Sequence, residues 1–201
     1  MQPARGTDRG EELLSLAKDL GSPVCESVHL PRGGSGTDRS AFPLSSRRTA
    51  EIVLVVPRPG AKVLLHSKDF YPAGLYRLPT GGLHKREPIA DGLRREGLEE
   101  TGNALAPKRF LFAIEYTWDY SAKRFESFGF LMEAAEGPII SQDAEERILG
   151  FLDADRVALE RYTRQLEGLS GRWSAWGKFR AVPHRILLGL WPGIPELAGE
   201  S

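Results

Sequence analysis

The sequence contains little cysteine and no long apolar run. Cys25 is the single cysteine among 201 residues, which excludes an intramolecular disulfide framework and suits a reducing compartment. No apolar stretch approaches the roughly 20 residues that a membrane-spanning helix requires. The first residues also lack the apolar core of a secretory signal. We therefore expect a cytoplasmic protein with no membrane partner.

Net charge is also absent. The 27 basic and 27 acidic side chains balance, so no global field favours binding to extended nucleic acid or to an anionic membrane. The hydrophobic content of 41% is enough for one substantial core. We expect an N-terminal extension over residues 1–48, one domain over residues 49–192 and a short tail over residues 193–201.

The most informative segment is GGLHKREPIADGLRREGLEETG, residues 81–102. A helix is predicted from residue 88 to residue 101. Pro88 suits the first turn of a helix because its missing N–H would be unpaired there in any case. Gly102 suits a left-handed C-terminal cap. The helix is therefore bounded at both ends by its own sequence.

Three glutamates of this helix, Glu96, Glu99 and Glu100, share one face, because positions three and four apart are neighbours on a helix surface. Stacked like charges destabilise a helix, and anions near its C-terminal end oppose the helix dipole. A solvated acidic face is the ordinary alternative. Convergence on Mg²⁺ or Mn²⁺, which prefer oxygen ligands, explains the cost better.

The residues before the helix add to the pattern. Glu87 precedes the helix, and Arg95 is placed to reach back to it and hold the loop in position. The turn at residues 78–82, Leu-Pro-Thr-Gly-Gly, allows an exposed backbone to approach the same site, as phosphate binding requires. Together these features indicate a divalent metal and a phosphate-containing substrate.

This pattern resembles the signature of the Nudix hydrolases, G-x5-E-x7-R-E-U-x-E-E-x-G-U, in which U is a bulky aliphatic residue. Every glycine and charged position of the signature is present; the matching residues are Gly81, Glu87, Arg95, Glu96, Glu99, Glu100 and Gly102. Gly97 and Asn103 depart from it, because the family usually has apolar residues there. A glycine inside a helix costs roughly 1 kcal/mol relative to alanine, so these departures affect local stability more than chemistry.

The resemblance implies an α/β fold, an α/β/α sandwich with a mixed β-sheet, and hydrolysis of a nucleoside diphosphate linked to another group. It implies Glu96, Glu99 and Glu100 as catalytic metal ligands for Mg²⁺ or Mn²⁺. Glu87 and Arg95 are expected to organise the loop. A catalytically silent nucleotide-binding module of the same family is the alternative function, although such modules usually lose these carboxylates.

The general base stays open. We call residues 81–102, which carry the signature, the box, and Glu96, Glu99 and Glu100 the box glutamates. The general base is one of the box glutamates or a carboxylate outside the box. Glu145 and Glu146 are the candidates from a later loop, and Glu115, inside an apolar strand, is a further option. A solvated loop charge is the alternative interpretation of Glu145 and Glu146.

Substrate recognition lies outside the signature. Arg77 is a candidate phosphate contact or an outward-facing strand residue. Tyr120 is a candidate base-stacking residue or a hairpin aromatic that covers the core. His66 and His84 are predicted to be surface histidines. The expected substrate is a small nucleotide, and the N-terminal extension is a candidate dimer interface.

Hydrophobic patterns predict the other elements. A helix is expected at residues 11–20, a flexible linker at residues 21–48 and a hairpin that joins strands at residues 51–56 and 62–66. Two antiparallel strands are expected at residues 109–117 and 124–133. A weaker strand is expected at residues 148–152, and a helix from residue 153 onward. A final helix is expected at about residues 183–190.

Overall fold

The structure, a computed structural model, describes residues 8–30, 48–119, 121–135, 138–141 and 146–199. Its helices are α1 (Asp8–Leu20), α2 (Ile89–Thr101), α3 (Arg156–Glu167), α4 (Ser174–Leu190) and α5 (Pro195–Ala198). Its strands are β1 (Val24–Leu30), β2 (Ala50–Val55), β3 (Pro57–Arg58), β4 (Lys62–Lys68), β5 (Thr80–Gly82), β6 (Pro107–Trp118), β7 (Ser121–Met132) and β8 (Ile148–Ala154). Short 3₁₀ turns flank α4, at Gly171–Trp173 and Trp191–Gly193.

The main sheet is mixed and has five strands in the order β1-β6-β7-β2-β5. The pairs β1–β6 and β2–β7 are parallel, whereas β6–β7 and β2–β5 are antiparallel. A second, three-stranded sheet has the order β3-β4-β8. The predicted mixed sheet and the predicted antiparallel pair near residues 109–133 are therefore confirmed.

Helices cover both faces of the main sheet. Alternation along β2 shows the division: Ile52 and Leu54 belong to the core under α2, whereas Val53 and Val55 belong to the core under α3 and α4. Because successive side chains of a strand point to opposite faces, one fully buried strand serves two cores. The result is the three-layer α/β/α arrangement expected from the sequence.

The predicted hairpin between residues 51–56 and 62–66 is wrong in its pairing. Strand β2 pairs with β5 and β7 in the main sheet, and β4 pairs instead with β3 and β8. The chain changes sheets at Val56, whose carbonyl still accepts a hydrogen bond from the N–H of Leu64 at 2.9 Å. A turn is present at Pro59 and Gly60, but Pro57 and Arg58, which the sequence suggested as part of the turn, form the two-residue strand β3.

The described part of the N-terminal extension packs onto the domain. Strand β1 lies parallel to β6 at the edge of the main sheet, so the expected linker at residues 21–48 is wrong over β1. Residues 31–47, with the Gly-rich stretch PRGGSGTDRS, lie outside the described residues. Helix α1 packs Leu13 and Leu16 against the core under α2. The carboxylate of Glu12 accepts a hydrogen bond from the N–H of Ile89 at 2.6 Å.

The C-terminal helix is longer than predicted. It begins at Ser174 rather than near residue 183, and Pro183 lies buried inside it. Proline removes the hydrogen bond that residue 183 would donate to residue 179. Trp176, Phe179 and Val182 are buried one turn apart before it, and this apolar face holds the helix against the sheet. Among the described helices, none is both long enough and apolar enough to cross a membrane.

Candidate active site

Helix α2 carries the box glutamates on the side that faces the protein. It follows Pro88 and ends at Gly102, which has φ 70° and donates to the carbonyl of Leu98 at 2.9 Å. These are the two boundaries that the sequence predicted. Glu96 and Glu100 are buried, at 3% and 0% exposure, one helical turn apart. Glu99 is half-buried at the edge of the same face.

Gly81 lies directly against Glu96. A Cβ built on Gly81 would fall 1.7 Å from Cδ of Glu96, which is far shorter than any contact between non-bonded atoms. Gly81 is the middle residue of β5, which is held by antiparallel pairing with Ile52 of β2. The backbone of the turn therefore reaches the carboxylate because residue 81 has no side chain.

Arg95 connects the helix to the loop before it. Its guanidinium donates to both carboxylate oxygens of Glu87, at 2.8 and 2.9 Å, and to the carbonyl of Gly82 at 3.1 Å. Its Nη1 also donates to Glu96 at 2.7 Å and to Glu99 at 2.9 Å. The hydrogen bond from Arg95 lowers the pKa of Glu87, which keeps this carboxylate charged and the loop closed.

Strand β4 adds two residues that the sequence did not assign to the site. His66 is fully buried, so its prediction as a surface histidine is wrong, whereas His84 is exposed as expected. The Nδ1 atom of His66 lies 3.5 Å from Oε2 of Glu100. The ammonium of Lys68 lies 3.3 Å from Oε1 of Glu100 and also pairs with Glu146. Side chains alternate between the two faces of a strand, so His66 and Lys68 lie on the same face of β4. This spacing is the feature of the sequence that could have indicated both residues.

Burial controls the charge of these groups. Burial is the main reason that the pKa of Glu96 is raised to about 7 and that of Glu100 to about 8. Arg95 lowers the pKa of Glu96 and Lys68 lowers that of Glu100, whereas acidic neighbours contribute to raising both values. Burial and the positive charge of Arg77 lower the pKa of His66, which is therefore neutral. Burial therefore disfavours the charged forms of Glu96 and Glu100, and a bound cation would offset this cost.

The donor set fits a hard divalent cation. Oε2 of Glu100 is buried without a hydrogen-bond donor in the described part of the chain, and an orphaned carboxylate oxygen is costly unless a cation or donor meets it. Glu96, Glu99 and the backbone near Gly81 supply further oxygens, the ligands that Mg²⁺ and Mn²⁺ prefer. Within the described residues, however, no three acidic, histidine or cysteine side chains already form a metal cluster. Arg95 and Lys68 pair with some of these oxygens.

The other sequence candidates lie in different places. Arg77 is buried and donates to the hydroxyls of Tyr71 and Thr80 at 2.7 and 2.9 Å, so it is not an outward-facing residue. Glu115 pairs with Arg124 at 2.8 Å, and within the described structure it makes no hydrogen bond or ion pair with Glu96, Glu99 or Glu100. Tyr120 and Glu145 lie outside the described residues.

Helix α4 contributes contacts to the turn that the sequence did not reveal. Arg180 donates to both oxygens of Glu51, at 2.9 and 2.8 Å, and to the hydroxyl of Thr80 at 3.3 Å. His184 accepts a hydrogen bond from the N–H of Leu78 at 3.1 Å. These contacts hold residues 78–80 from the face opposite Glu96. Because the predicted helix begins near residue 183, Arg180 was not assigned to it, and its contacts with the turn were not predicted.

The structure therefore combines an α/β/α sandwich with a glycine turn that meets a helix of buried glutamates. Comparison with known proteins specifies the family. A family model described as the NUDIX domain matches residues 46–173, and the chain belongs to the Nudix family. The prediction of the family is therefore confirmed, and the prediction of a Nudix-type enzyme agrees with this match.

One curated relative is the NAD-capped RNA hydrolase NudC of Pasteurella multocida. It is 30% identical over 107 residues, which cover 51% of this chain and 39% of the relative. The chain thus spans about two fifths of the length of that relative.

Solved structures support the fold. The solution structure of the E. coli ORF135 protein is similar with a TM-score of 0.50 at 15% identity, over 77% of this chain and 99% of that chain. A NUDIX hydrolase from Nitrosomonas europaea gives a TM-score of 0.50 at 14% identity, over 72% of each chain. At these identities the similarity establishes the fold alone.

Proposed function

We propose that this protein is a metal-dependent hydrolase that cleaves the phosphoanhydride bond of a nucleoside diphosphate linked to another group. The observation that carries the proposal is the buried pair Glu96 and Glu100, which lies against the backbone of Gly81. Glu100 keeps one oxygen without a hydrogen-bond donor in the described structure. Burial of two carboxylates on one helix face costs stability, and a metal-binding role explains why the protein keeps them there.

Glu96, Glu99 and Glu100 are the residues that would hold Mg²⁺ or Mn²⁺. Such an ion supplies charge neutralisation for the pyrophosphate and a bound water of lowered pKa. Arg95 positions Glu96 and Glu99 and keeps the Glu87 loop closed beside them. Because residue 81 has no side chain, the carboxylate of Glu96 can lie against the backbone of the turn, where the phosphate would bind.

Glu146 is the proposed general base outside the box. Its carboxylate pairs with Lys68, which also contacts Glu100, so it lies beside the box glutamates. Its side chain retains 27% exposure and is reachable by water. In the reaction, a water oxygen attacks phosphorus, its proton passes to the carboxylate, and the P–O bond of the leaving phosphate breaks. Glu99, the exposed member of the box, is the alternative base.

The substrate class is a small nucleotide. Nucleoside diphosphate sugars, dinucleoside polyphosphates and damaged nucleoside triphosphates all contain the required anhydride bond. The relative from Pasteurella multocida is named for NAD-capped RNA, so NAD and NAD-capped oligonucleotides belong in the same set. A cytoplasmic location is part of the proposal.

A substrate panel tests this function. The purified protein is incubated with each nucleotide in Mg²⁺ or Mn²⁺, and products are separated by ion-pair chromatography, with EDTA as the control. We expect metal-dependent cleavage of at least one anhydride into two phosphate-containing products. Tight nucleotide binding without any product would instead support a nucleotide-sensing module.

A further inference from the structure

Lys68 is an almost buried cation among the box carboxylates. Its side chain is 8% exposed, and its ammonium contacts Oε1 of Glu100 at 3.3 Å and pairs with Oε2 of Glu146. A buried ammonium is costly unless it is paired and hydrogen-bonded. Lys68 meets that requirement by pairing with Glu100, the carboxylate whose Oε2 has no hydrogen-bond donor in the described structure.

The backbone builds this arrangement. The pairing of β4 with β8 is in register up to Ser67, opposite Gly150, and then shifts so that Lys68 lies opposite Ile148. Leu149 is the extra residue of this bulge and is 72% exposed. Bulges of this kind re-aim neighbouring side chains and occur often beside active sites.

Two further contacts fix Arg147, the residue that follows Glu146. The N–H of Asp69 donates to the carbonyl of Arg147 at 3.1 Å, and the side chains of Asp69 and Arg147 pair at 2.9 Å. Arg147 has φ 54°, in the left-handed region that a non-glycine residue enters at a cost. The segment therefore adopts an unfavourable conformation next to Glu146, and such strain concentrates at functional positions.

His66 cannot replace Lys68 as the positive partner. It lies beside the other oxygen of Glu100 but is fully buried and neutral, since burial lowers its pKa. Lys68 and Arg77 are the basic residues that stabilise the charged form of Glu100. Of these two, Lys68 makes the direct contact, whereas Arg77 donates to Tyr71, Leu78 and Thr80.

We propose that Lys68 is the internal cation of the site: it holds Glu100 and Glu146 together in the metal-free protein and competes with the divalent ion for Glu100. It is a positioning residue that sets the metal concentration the site needs. The inference rests on the proposed function, because it assumes that Glu100 is a metal ligand. The flexible four-carbon stem of lysine allows the ammonium to leave Glu100 without a backbone change.

Metal affinity tests this role without turnover. Mn²⁺ binding is measured by calorimetry at pH 8.0, where protons compete less for the buried carboxylates. For Lys68→Met we expect binding tighter than wild type by about tenfold or more, because the ammonium lies 3.3 Å from Oε1 of Glu100 and would repel a cation held by the same carboxylate. Lys68→Arg keeps the cation and should stay close to wild type.

Lys62 provides the matched control on the same strand. It lies at the start of β4, and the described contacts do not join it to the box carboxylates. Lys62→Met should bind Mn²⁺ as wild type does. Lys68→Gln is a second variant if Lys68→Met does not fold, which thermal unfolding establishes, and the same tighter binding is expected.

The outcomes separate the two proposals. Folded Lys68→Met or Lys68→Gln protein that binds Mn²⁺ no more tightly than wild type overturns the role of Lys68. Wild-type protein that binds Mn²⁺ but cleaves no nucleotide overturns the proposed function and leaves the competition by Lys68 in place. Wild-type protein that binds no Mn²⁺ overturns the metal site and, with it, this inference.

Discussion

The backbone of Gly81 lies against the carboxylate of Glu96, so closely that a Cβ on residue 81 would be 1.7 Å from Cδ of Glu96. The strand from which Gly81 projects is fixed by β2, and Glu96 is fixed by Arg95. A side chain at residue 81 must therefore displace the carboxylate. The position of one proposed metal ligand depends on the absence of a single methyl group.

Gly81→Ala should impair the site more than the fold. The new methyl group moves Glu96, so we expect Mn²⁺ affinity and nucleotide turnover to fall by at least tenfold. Calorimetry and steady-state rates measure the two effects, and thermal unfolding tests the fold. A variant that retains wild-type affinity would show that the carboxylate of Glu96 is not fixed against the turn.

Gly97→Ala should have the opposite effect on stability. A Cβ at residue 97 meets the carbonyl oxygen of Asn103 at 3.6 Å, an ordinary contact. Alanine is favoured over glycine inside a helix by roughly 1 kcal/mol. We expect the free energy of unfolding in urea to rise by about 0.5–1 kcal/mol, with activity unchanged.

Gly92→Ala is the matched comparison on the same helix. A Cβ there would approach Cδ2 of Leu83 within 2.5 Å, so this variant should be destabilised. If both alanine variants gained stability, the packing of α2 described above would be incorrect.

Glu12 should stabilise α2 from outside the helix. Pro88 provides no side-chain cap, and the carboxylate of Glu12 accepts from the first N–H of the helix, that of Ile89. An N-terminal acceptor contributes about 1 kcal/mol, and a carboxylate there also interacts favourably with the helix dipole. Glu12→Ala should lower the free energy of unfolding by about that amount.

The neighbouring Glu11, which is exposed, supplies the control. Glu11→Ala should change the free energy of unfolding by less than about 0.5 kcal/mol, as surface substitutions usually do. Equal losses in the two variants would indicate a general effect on α1 instead of a specific cap.

His184 should make stability depend on pH. Burial, with Arg77 and Arg180 nearby, lowers its pKa from 6.5 to about 3. The neutral Nε2 accepts from Leu78, and Nδ1 lies 3.3 Å from the hydroxyl of Thr163. Since the unfolded chain binds the proton more tightly, this stabilisation is complete above pH 6.5 and is lost as the pH falls toward 3.

His184→Gln should remove this dependence, because its amide oxygen can still accept from Leu78 without titrating. Between pH 6.5 and 5.0 the wild-type protein should lose about 1.6 kcal/mol more than the variant, because the slope rises from about half of 1.4 kcal/mol per pH unit at pH 6.5 toward the full value at lower pH. Urea unfolding at the two pH values measures the difference. His84→Gln, at an exposed position, should behave as wild type does. If the free energy of unfolding depended on pH in the same way in wild type and His184→Gln, the lowered pKa of His184 would be contradicted.

The box helix could be predicted because its signals are local. Pro88 and Gly102 mark its boundaries, and the spacing of Glu96, Glu99 and Glu100 defines one face. These features depend only on helix geometry and capping. The structure places the same residues at the start, the end and the inner face of α2.

The missed features depend on contacts between distant segments. Nothing near Val56 indicates that the chain leaves one sheet for another. Strand β1 has mostly exposed side chains, so it lacks the alternation that identifies a strand. Pro183 resembles a helix start when α4 is considered alone, and the sheet that stabilises the preceding turns is remote in sequence.

The role of Lys68 was also hidden for this reason. Lys68 was assigned no role from the sequence, and a lysine in a sequence ordinarily indicates a surface position, because lysine is rarely buried without a partner. The partners, Glu100 and Glu146, lie 32 and 78 residues away in the chain. Only the register of β4 with β8 and the position of α2 bring the three side chains together.

The most direct test of the central claim is the rate of nucleotide cleavage by Glu100→Gln in saturating Mn²⁺, beside wild type and Asp91→Asn. Asp91 lies on the exposed face of the same helix and pairs with Arg94, so its variant controls for a general effect on α2. We predict that Glu100→Gln loses at least a hundredfold in rate while remaining folded, and that Asp91→Asn keeps the wild-type rate. Equal rates for wild type and folded Glu100→Gln would contradict the assignment of the buried glutamate face as the metal site.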